Sequence, residues 1–147
     1  MIEAKDLRIG DIVRMTDDNG NMVPCKVVGV DEERCRNSVL RGFLNGAAHL
    51  RPFDLENDEP SDSRWCKDIE PILLTPEILE RNGWKENATR ADFLHCDKAF
   101  VKIDSPTVCY RGGMCFCDVG SFTVELDFVH RLQHLLWALG ENAEMEV

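Results

Sequence analysis

The chain has 147 residues, 44% of them hydrophobic and 30% charged, with a formal charge of −10. That balance fits one ordinary globular domain or two small ones, with enough apolar residues for a core. It disfavours binding to a nucleic-acid backbone, which calls for the opposite sign, and no apolar run approaches the roughly 18 residues of a membrane span. The charge is uneven. Residues 1–56 hold 8 basic and 10 acidic side chains (−2), whereas residues 57–147 hold 9 and 17 (−8). The opening Met1–Asp6 shows no basic region followed by an apolar stretch, so no signal peptide is read and a cytoplasmic location is the default. Seven cysteines, Cys25, Cys35, Cys66, Cys96, Cys109, Cys115 and Cys117, are odd in number and irregular in spacing. They argue against a disulfide framework and for small, reduced, mostly buried side chains.

In chain order, Asp6–Met15 reads as a turn at Gly10 followed by a strand through Ile12 and Val13. Asp17–Asn21 contains Asn19-Gly20, whose tolerance of positive φ marks a hairpin turn. Met22–Val30 is the return strand, with Pro24 expected at its start or on a sheet edge because it lacks an N–H. Asp31–Arg34 is a second polar turn, Ser38–Arg41 a further strand, and Asn45-Gly46 another break. Short strands separated by turns at close intervals predict a small antiparallel sheet or barrel, and Leu7–Val13 with its hairpin resembles the start of an SH3-like barrel. Glu56–Arg64 is acidic and without periodicity, which reads as a linker.

Thr75-Pro76-Glu77 predicts a helix start by capping, by proline at the first helical position and by a favourable dipole contact. Asn82-Gly83 ends that helix after about two turns. Trp84–Glu86, Phe93–Cys96, Phe100–Ile103, Thr107–Tyr110, Met114–Val119 and Phe122–Leu126 read as strands, with hairpin loops at Gly112-Gly113 and Gly120-Ser121. The closing stretch places Phe128, Leu132, Leu135, Leu136 and Leu139 on one helical face, between Asp127 as N-cap and Gly140 as terminator. This helix is expected to cover the meander before it, and Glu141–Val147 to fray.

Three pieces together resemble a family of small uncharacterised proteins from gut bacteria of the Bacteroides group, often associated with phages and other mobile elements. The pieces are Leu7–Val13, Pro71–Leu79 followed by Asn82-Gly83-Trp84, and Val129–Leu139. The family pattern reads Ile-Gly-Asn, then Pro-Ile-x-Leu-Thr-Glu-Glu with Gly-Phe shortly after, then Leu-His-x-Leu-Gln-Asn-Leu-Tyr-x-Ala-Leu. The chain departs from it at Asp11, Pro76, Trp84, Val129, His134 and Leu136, keeping apolar or capping character where a core requires it. The resemblance implies a mobile-element setting and no activity.

Candidate chemistry is sparse. His130 and His134 stand at i, i+4 on the closing helix, a spacing at which two imidazoles can share a metal, and Cys115-x-Cys117 offers two thiolates. Against this set, Arg131 is a cation where a zincin-like motif has Glu, and no Cys-x-x-Cys pair exists. Structural roles are the ordinary reading of all four residues. His95-Cys96 face opposite sides of a strand and make no nucleophile–base pair. Gly112-Gly113 lacks the Lys-Ser/Thr of a phosphate loop, and Asp17–Gly20 lacks the spacing of a calcium loop. Trp137 lies off the main apolar stripe and is the one candidate for a partner surface.

The sequence therefore predicts an α+β chain: an SH3-like β-barrel or sheet over 1–56, a linker over 57–68, and an α+β domain over 69–147 with helices near 76–82 and 128–139. The functional expectation is a non-enzymatic cytoplasmic module for an unknown protein partner, with no catalytic motif and no cofactor. A Cys/His metal protein or enzyme is the alternative. A second is an acidic mimic of nucleic acid, motivated by the −8 on residues 57–147.

Overall fold

The computed structural model describes residues 2, 4–17, 19–31, 47–52, 62–65, 68–119 and 121–147. The polar turn after Asp31, the strand expected at Ser38–Arg41 and the break at Asn45-Gly46 lie outside the described residues. The architecture is α+β with two antiparallel sheets, and it divides into two compact units, Met1–Ile72 and Leu73–Val147.

In the first unit, a 3-10 turn at Ala4–Asp6 precedes β1 (Ile12–Thr16), β2 (Met22–Asp31), β3 (Ala47–Pro52), β4 (Asp62–Trp65) and β5 (Ile69–Pro71). The β1–β2 register sets Val13 opposite Cys25 and Thr16 opposite Met22, and beyond it the Asp17 N–H donates to the Asn21 carbonyl at 2.8 Å across the turn. Asp17 holds that turn, its carboxylate accepting the Asn19 and Asn21 N–H groups at 2.9 and 2.7 Å. Those bonds, the Asn21 one foremost, hold the Asp17 carboxyl below the ordinary carboxylate range. Gly20 supplies the positive φ of 86°. Alternation along the strands turns Val13, Met15, Cys25, Val27, Ala48, Leu50 and Ile69 into one buried cluster with Ile2 and Leu7.

The sheet order is β4-β3-β2-β1-β5. Of the SH3-like barrel or sheet expected for 1–56, the structure shows a sheet: among the described residues no ladder joins β4 to β5, and the barrel does not close. The expected linker over 57–68 also looks different in the structure. Asp62–Trp65 is β4, Ile69–Pro71 pairs with β1 as β5, and the chain divides between Ile72 and Leu73. Acidic composition signalled solvent exposure there, but an edge strand is also solvent-exposed, and composition does not separate the two.

The second unit runs α1 (Pro76–Arg81), β6 (Lys85–Glu86), α2 (Ala88–Leu94), β7 (Lys98–Val101), β8 (Val108–Arg111), β9 (Met114–Val119), β10 (Phe122–Glu125) and α3 (Val129–Ala138). Its sheet is a sequential meander, β10-β9-β8-β7-β6. Thr75 caps α1 as expected, its hydroxyl accepting the Ile78 N–H at 3.4 Å. Gly112 and Gly113, with φ of 60° and 88°, make the tight β8–β9 turn. The strand expected at Phe93–Cys96 is instead the end of α2 and its exit. Asn87 caps that helix by accepting the Arg90 N–H at 2.9 Å, and His95 terminates it in the left-handed region at φ 53°. The local cap outweighed the short apolar run. No helix among the described residues is long and apolar enough to cross a membrane.

The closing helix is where expected, but its orientation differs. Its buried residues are Val129, His130, Leu132, Gln133 and Leu136, while Leu139 is 45% exposed. On a helix advancing about 100° per residue, that arc is turned by roughly a quarter of a circle from the leucine stripe. Phe128, not Asp127, occupies the N-cap, and it makes no side-chain cap bond. The cause lies in residues 141–147, which dock instead of fraying. The buried Gln133 amide donates to the Ala143 carbonyl at 2.9 Å, and Ala143 and Met145 are buried. The Asn82 side chain brackets Glu146, donating to its carbonyl at 2.7 Å and accepting its N–H at 2.8 Å, as a neighbouring strand would. Ser105 adds a 2.7 Å bond to the Glu141 carboxylate.

Replacing Asn82 with Ala removes both bonds to Glu146 and should cost about 1–2 kcal/mol. Denaturant unfolding should show the loss, and amide exchange should show residues 143–147 opening first. Unchanged exchange there would contradict the role given to Asn82.

Candidate functional site

The sequence-derived candidates occupy well-defined places. Cys115 and Cys117 alternate on β9, both fully buried on one face. The Cys115 thiol donates to the Leu74 carbonyl at 3.6 Å. Burial pushes the Cys115 thiol up to about 12, with the Asp127 charge adding to it, and the Cys117 thiol up to about 11, with Asp118 adding to it. Deprotonation, which a metal ligand or nucleophile requires, is therefore opposed at both. Cys109 is likewise pushed up to about 12, first by burial and then by the neighbouring Cys96 thiol.

His130 and His134 lie on the same side of α3 as expected, but their rings belong to an aromatic column. Phe128 stacks on His130, His130 meets His134 edge-on, and His134 stacks on Trp137, each pair with centroids 5.8 Å apart. The structure does not bring the thiols and imidazoles together as one ligand set. Among the described residues no group of three or more Cys, His, Asp or Glu side chains converges as a metal site would require. Trp137 is half-buried against His134 rather than projecting freely.

Two concave sites in the second unit were not anticipated. The first, about 590 Å³, is a groove between the edge strand β10 (Thr123, Val124, Glu125) and the flank of α3 (Arg131, His134, Leu135). The ladder fixes which backbone groups β10 offers. Leu126 N–H bonds to Cys115 O at 2.8 Å, so that pair is hydrogen-bonded. By antiparallel alternation Val124 and Phe122 also bond to β9, while Thr123 and Glu125 turn their N–H and C=O away from it. β10 is an edge of its sheet, and those outward groups have no backbone partner among the described residues. Phe122, 76% exposed, shares the face of Val124 two residues before it on β10.

The second concavity, about 490 Å³, lies between residues 73–77, the β8–β9 turn and the chain entering α3. An antiparallel bridge joins Leu73 to Phe128, and Leu74 N–H bonds to Asp127 O at 2.9 Å, which ties two of its lining segments together. Leu73 (61% exposed) and Met114 (47% exposed) give it an apolar rim, Tyr110 and Phe128 give it rings, and Asp127 and Glu77 give it carboxylates. One Asp127 oxygen lies 3.7 Å from the Arg131 guanidinium. The other is shielded from solvent without a hydrogen-bond partner, a deficit on the order of 1–3 kcal/mol. Hydrogen bonds from its own backbone and from Thr75 hold the exposed Glu77 carboxyl below its usual range, so it is ionised at neutral pH.

Residue types gave little warning of either site. The usable signal for the groove was Thr123 and Glu125 alternating with apolar neighbours in a terminal strand of the meander. For the cleft it was Leu73-Leu74, adjacent leucines that an extended backbone points to opposite sides.

With their pKa values raised and their sulfurs buried, Cys115 and Cys117 should resist iodoacetamide in the folded chain at about pH 8 and react only after unfolding. Peptide mass spectrometry reads the outcome, and rapid native labelling at Cys115 would contradict the placement.

No family model matches the chain, and comparison with curated proteins and with solved structures found no significant match.

Proposed function

We propose that this chain is a non-enzymatic interaction module that takes up an extended segment of a protein partner as an added strand on β10. The observation that carries this reading is the outward N–H and C=O of Thr123 and Glu125 beside a groove walled by α3. A row of free backbone groups at strand spacing is matched by another strand, and the adjacent side chains select which one. Two other sheet edges suit that role less. β6 has two residues, and β5 has three including Pro71, which has no N–H to offer. Val124 and Leu135 give the groove apolar contact, Arg131 and His134 give it polar wall, and exposed Phe122 adds apolar surface on the same face of β10. The resemblance to proteins of phages and mobile elements supports an accessory role of this kind, in which binding rather than turnover is the output.

The decisive variant is Glu125→Pro. It deletes an outward N–H and leaves the β9 ladder bonds of Phe122, Val124 and Leu126 in place, at an edge position where proline is tolerated. A peptide-display selection on the native chain should enrich segments of alternating apolar pattern. Their binding should slow amide exchange at Thr123 and Glu125 and weaken by about tenfold or more in the variant, one lost hydrogen bond and a disturbed register being enough. Binders that protect other segments, or that ignore Glu125→Pro, would refute strand addition.

A further inference from the structure

Strand addition at β10 does not by itself say which segment is taken, and the face of β10 turned away from the core carries the chemistry that does. Along β9, Cys115 and Cys117 are buried on one face, so Phe116 and Asp118 lie on the other. The register sets Thr123 opposite Asp118 and Glu125 opposite Phe116, which puts all four side chains on this outer face. Val124, opposite Cys117, points the other way.

The outer face is acidic. From Met114 to Asp127 the chain holds three carboxylates, Asp118, Glu125 and Asp127, and no Lys, Arg or His. Asp118 and Glu125 are exposed. One Asp118 oxygen accepts the Thr123 hydroxyl at 2.7 Å, and among the described residues Glu125 enters no ion pair and no side-chain hydrogen bond. The cations nearby are engaged elsewhere. Arg111, on the same face, lies over the Phe116 ring at 5.8 Å and donates to the His95 carbonyl at 3.5 Å. Arg131, in the groove lining, is turned to Asp127 at 3.7 Å and to the Phe128 ring at 5.5 Å. Residues 73–147 hold 7 basic and 12 acidic side chains (−5), so the unit as a whole attracts a cationic partner.

We infer that the strand taken up by β10 is basic on its outer face: a partner segment with Lys or Arg beside Thr123 and Glu125, and an apolar residue between them beside Val124. Strand addition is the premise, and the outer-face charge selects the segment. Residues directly opposite on an antiparallel pair have Cβ atoms about 5 Å apart and share a face, so a cation placed there meets the Glu125 carboxylate. On the core side, Val124 and Leu135 offer apolar contact and the Arg131 charge repels a cation. A second copy of the chain is a poor occupant. Two β10 strands paired antiparallel about Val124 would gather the Asp118 and Glu125 carboxylates of both copies on one face, where like charges destabilise the pairing.

The probes are acetyl-Thr-Lys-Val-Lys-Val-Lys-Thr-amide and the same peptide with Gln or with Glu at its three Lys positions, read by titration calorimetry and amide exchange. The Lys peptide should bind about three- to tenfold tighter than the Gln peptide, and the Glu peptide most weakly. Bound Lys peptide should slow exchange at Thr123 and Glu125. Glu125→Gln should remove most of the preference for Lys over Gln and leave the affinity of the Gln peptide unchanged. Glu80→Gln deletes the same charge from an exposed position on α1 and should leave the preference intact. Equal binding of the Lys and Gln peptides with β10 protected would overturn the basic preference and leave strand addition standing, whereas no protection of β10 by any peptide would overturn both. An equal loss in the two Gln variants would also overturn the preference, since it marks attraction by net charge alone. Self-association of the chain that Glu125→Pro abolishes would assign the edge to a second copy instead.

Discussion

The Asn82 amide paired with both backbone groups of Glu146, together with the Gln133 amide on Ala143, ties residues 141–147 to the second unit. Much of what surrounds α3 follows from that attachment. A returning segment along the Gln133 side must be covered, so the helix turns Val129, Gln133 and Leu136 inward and leaves Leu139 outside. Two side-chain amides, the buried Gln133 and the half-buried Asn82, thus act as strand substitutes. The Gln133 amide satisfies the carbonyl of buried Ala143, which would otherwise be shielded from water without a partner, the condition that makes unpaired burial costly.

The same rotation explains why a groove exists. With the buried arc centred away from the leucine stripe, Arg131, His134 and Leu135 are left on the flank that faces β10. The meander order leaves β10 at the edge of its sheet, so a half-polar helix wall stands beside a strand whose outward backbone groups have no backbone partner among the described residues. The imidazoles that look like metal ligands in the sequence are taken up by this geometry. His130 is sandwiched into the column between Phe128 and His134, and His134 is backed by Trp137. The thiols on β9 are taken up by the core, where burial raises the cost of the thiolate. Side chains that share a chemical repertoire are therefore spent on packing.

What was readable locally was read well where a residue's own chemistry decides the backbone. Thr75-Pro76 opened α1, Gly112-Gly113 closed a hairpin, Gly140 ended the last helix, and Asp17–Asn21 turned β1 into β2. The α+β class and the antiparallel meander followed from those punctuation marks and from strand alternation. The misread elements were those that depend on competition. Phe93–Cys96 has strand-like residues, but the Asn87 cap claims Phe93 and Leu94 for α2 and His95 and Cys96 for its exit. Asp62–Trp65 has linker-like composition, but pairing with β3 makes it a strand.

Capping groups, positive-φ glycines and alternation act over a few residues, so the sequence by itself determined most element types, though not those of α2 and β4, and the meander of the second sheet. Tertiary structure alone decided whether the first sheet would close, which face of α3 would be buried and which backbone groups would stay unpaired. Each of those outcomes depends on partners far away in the chain: Ile69–Pro71 reaching β1, Glu146 reaching Asn82, Leu73 reaching Phe128. Neither the groove nor the cleft has a motif of its own, because both are defined by what such distant pairings leave uncovered. A pattern of side chains specifies what a segment can bury, and only the folded chain specifies what remains to be offered.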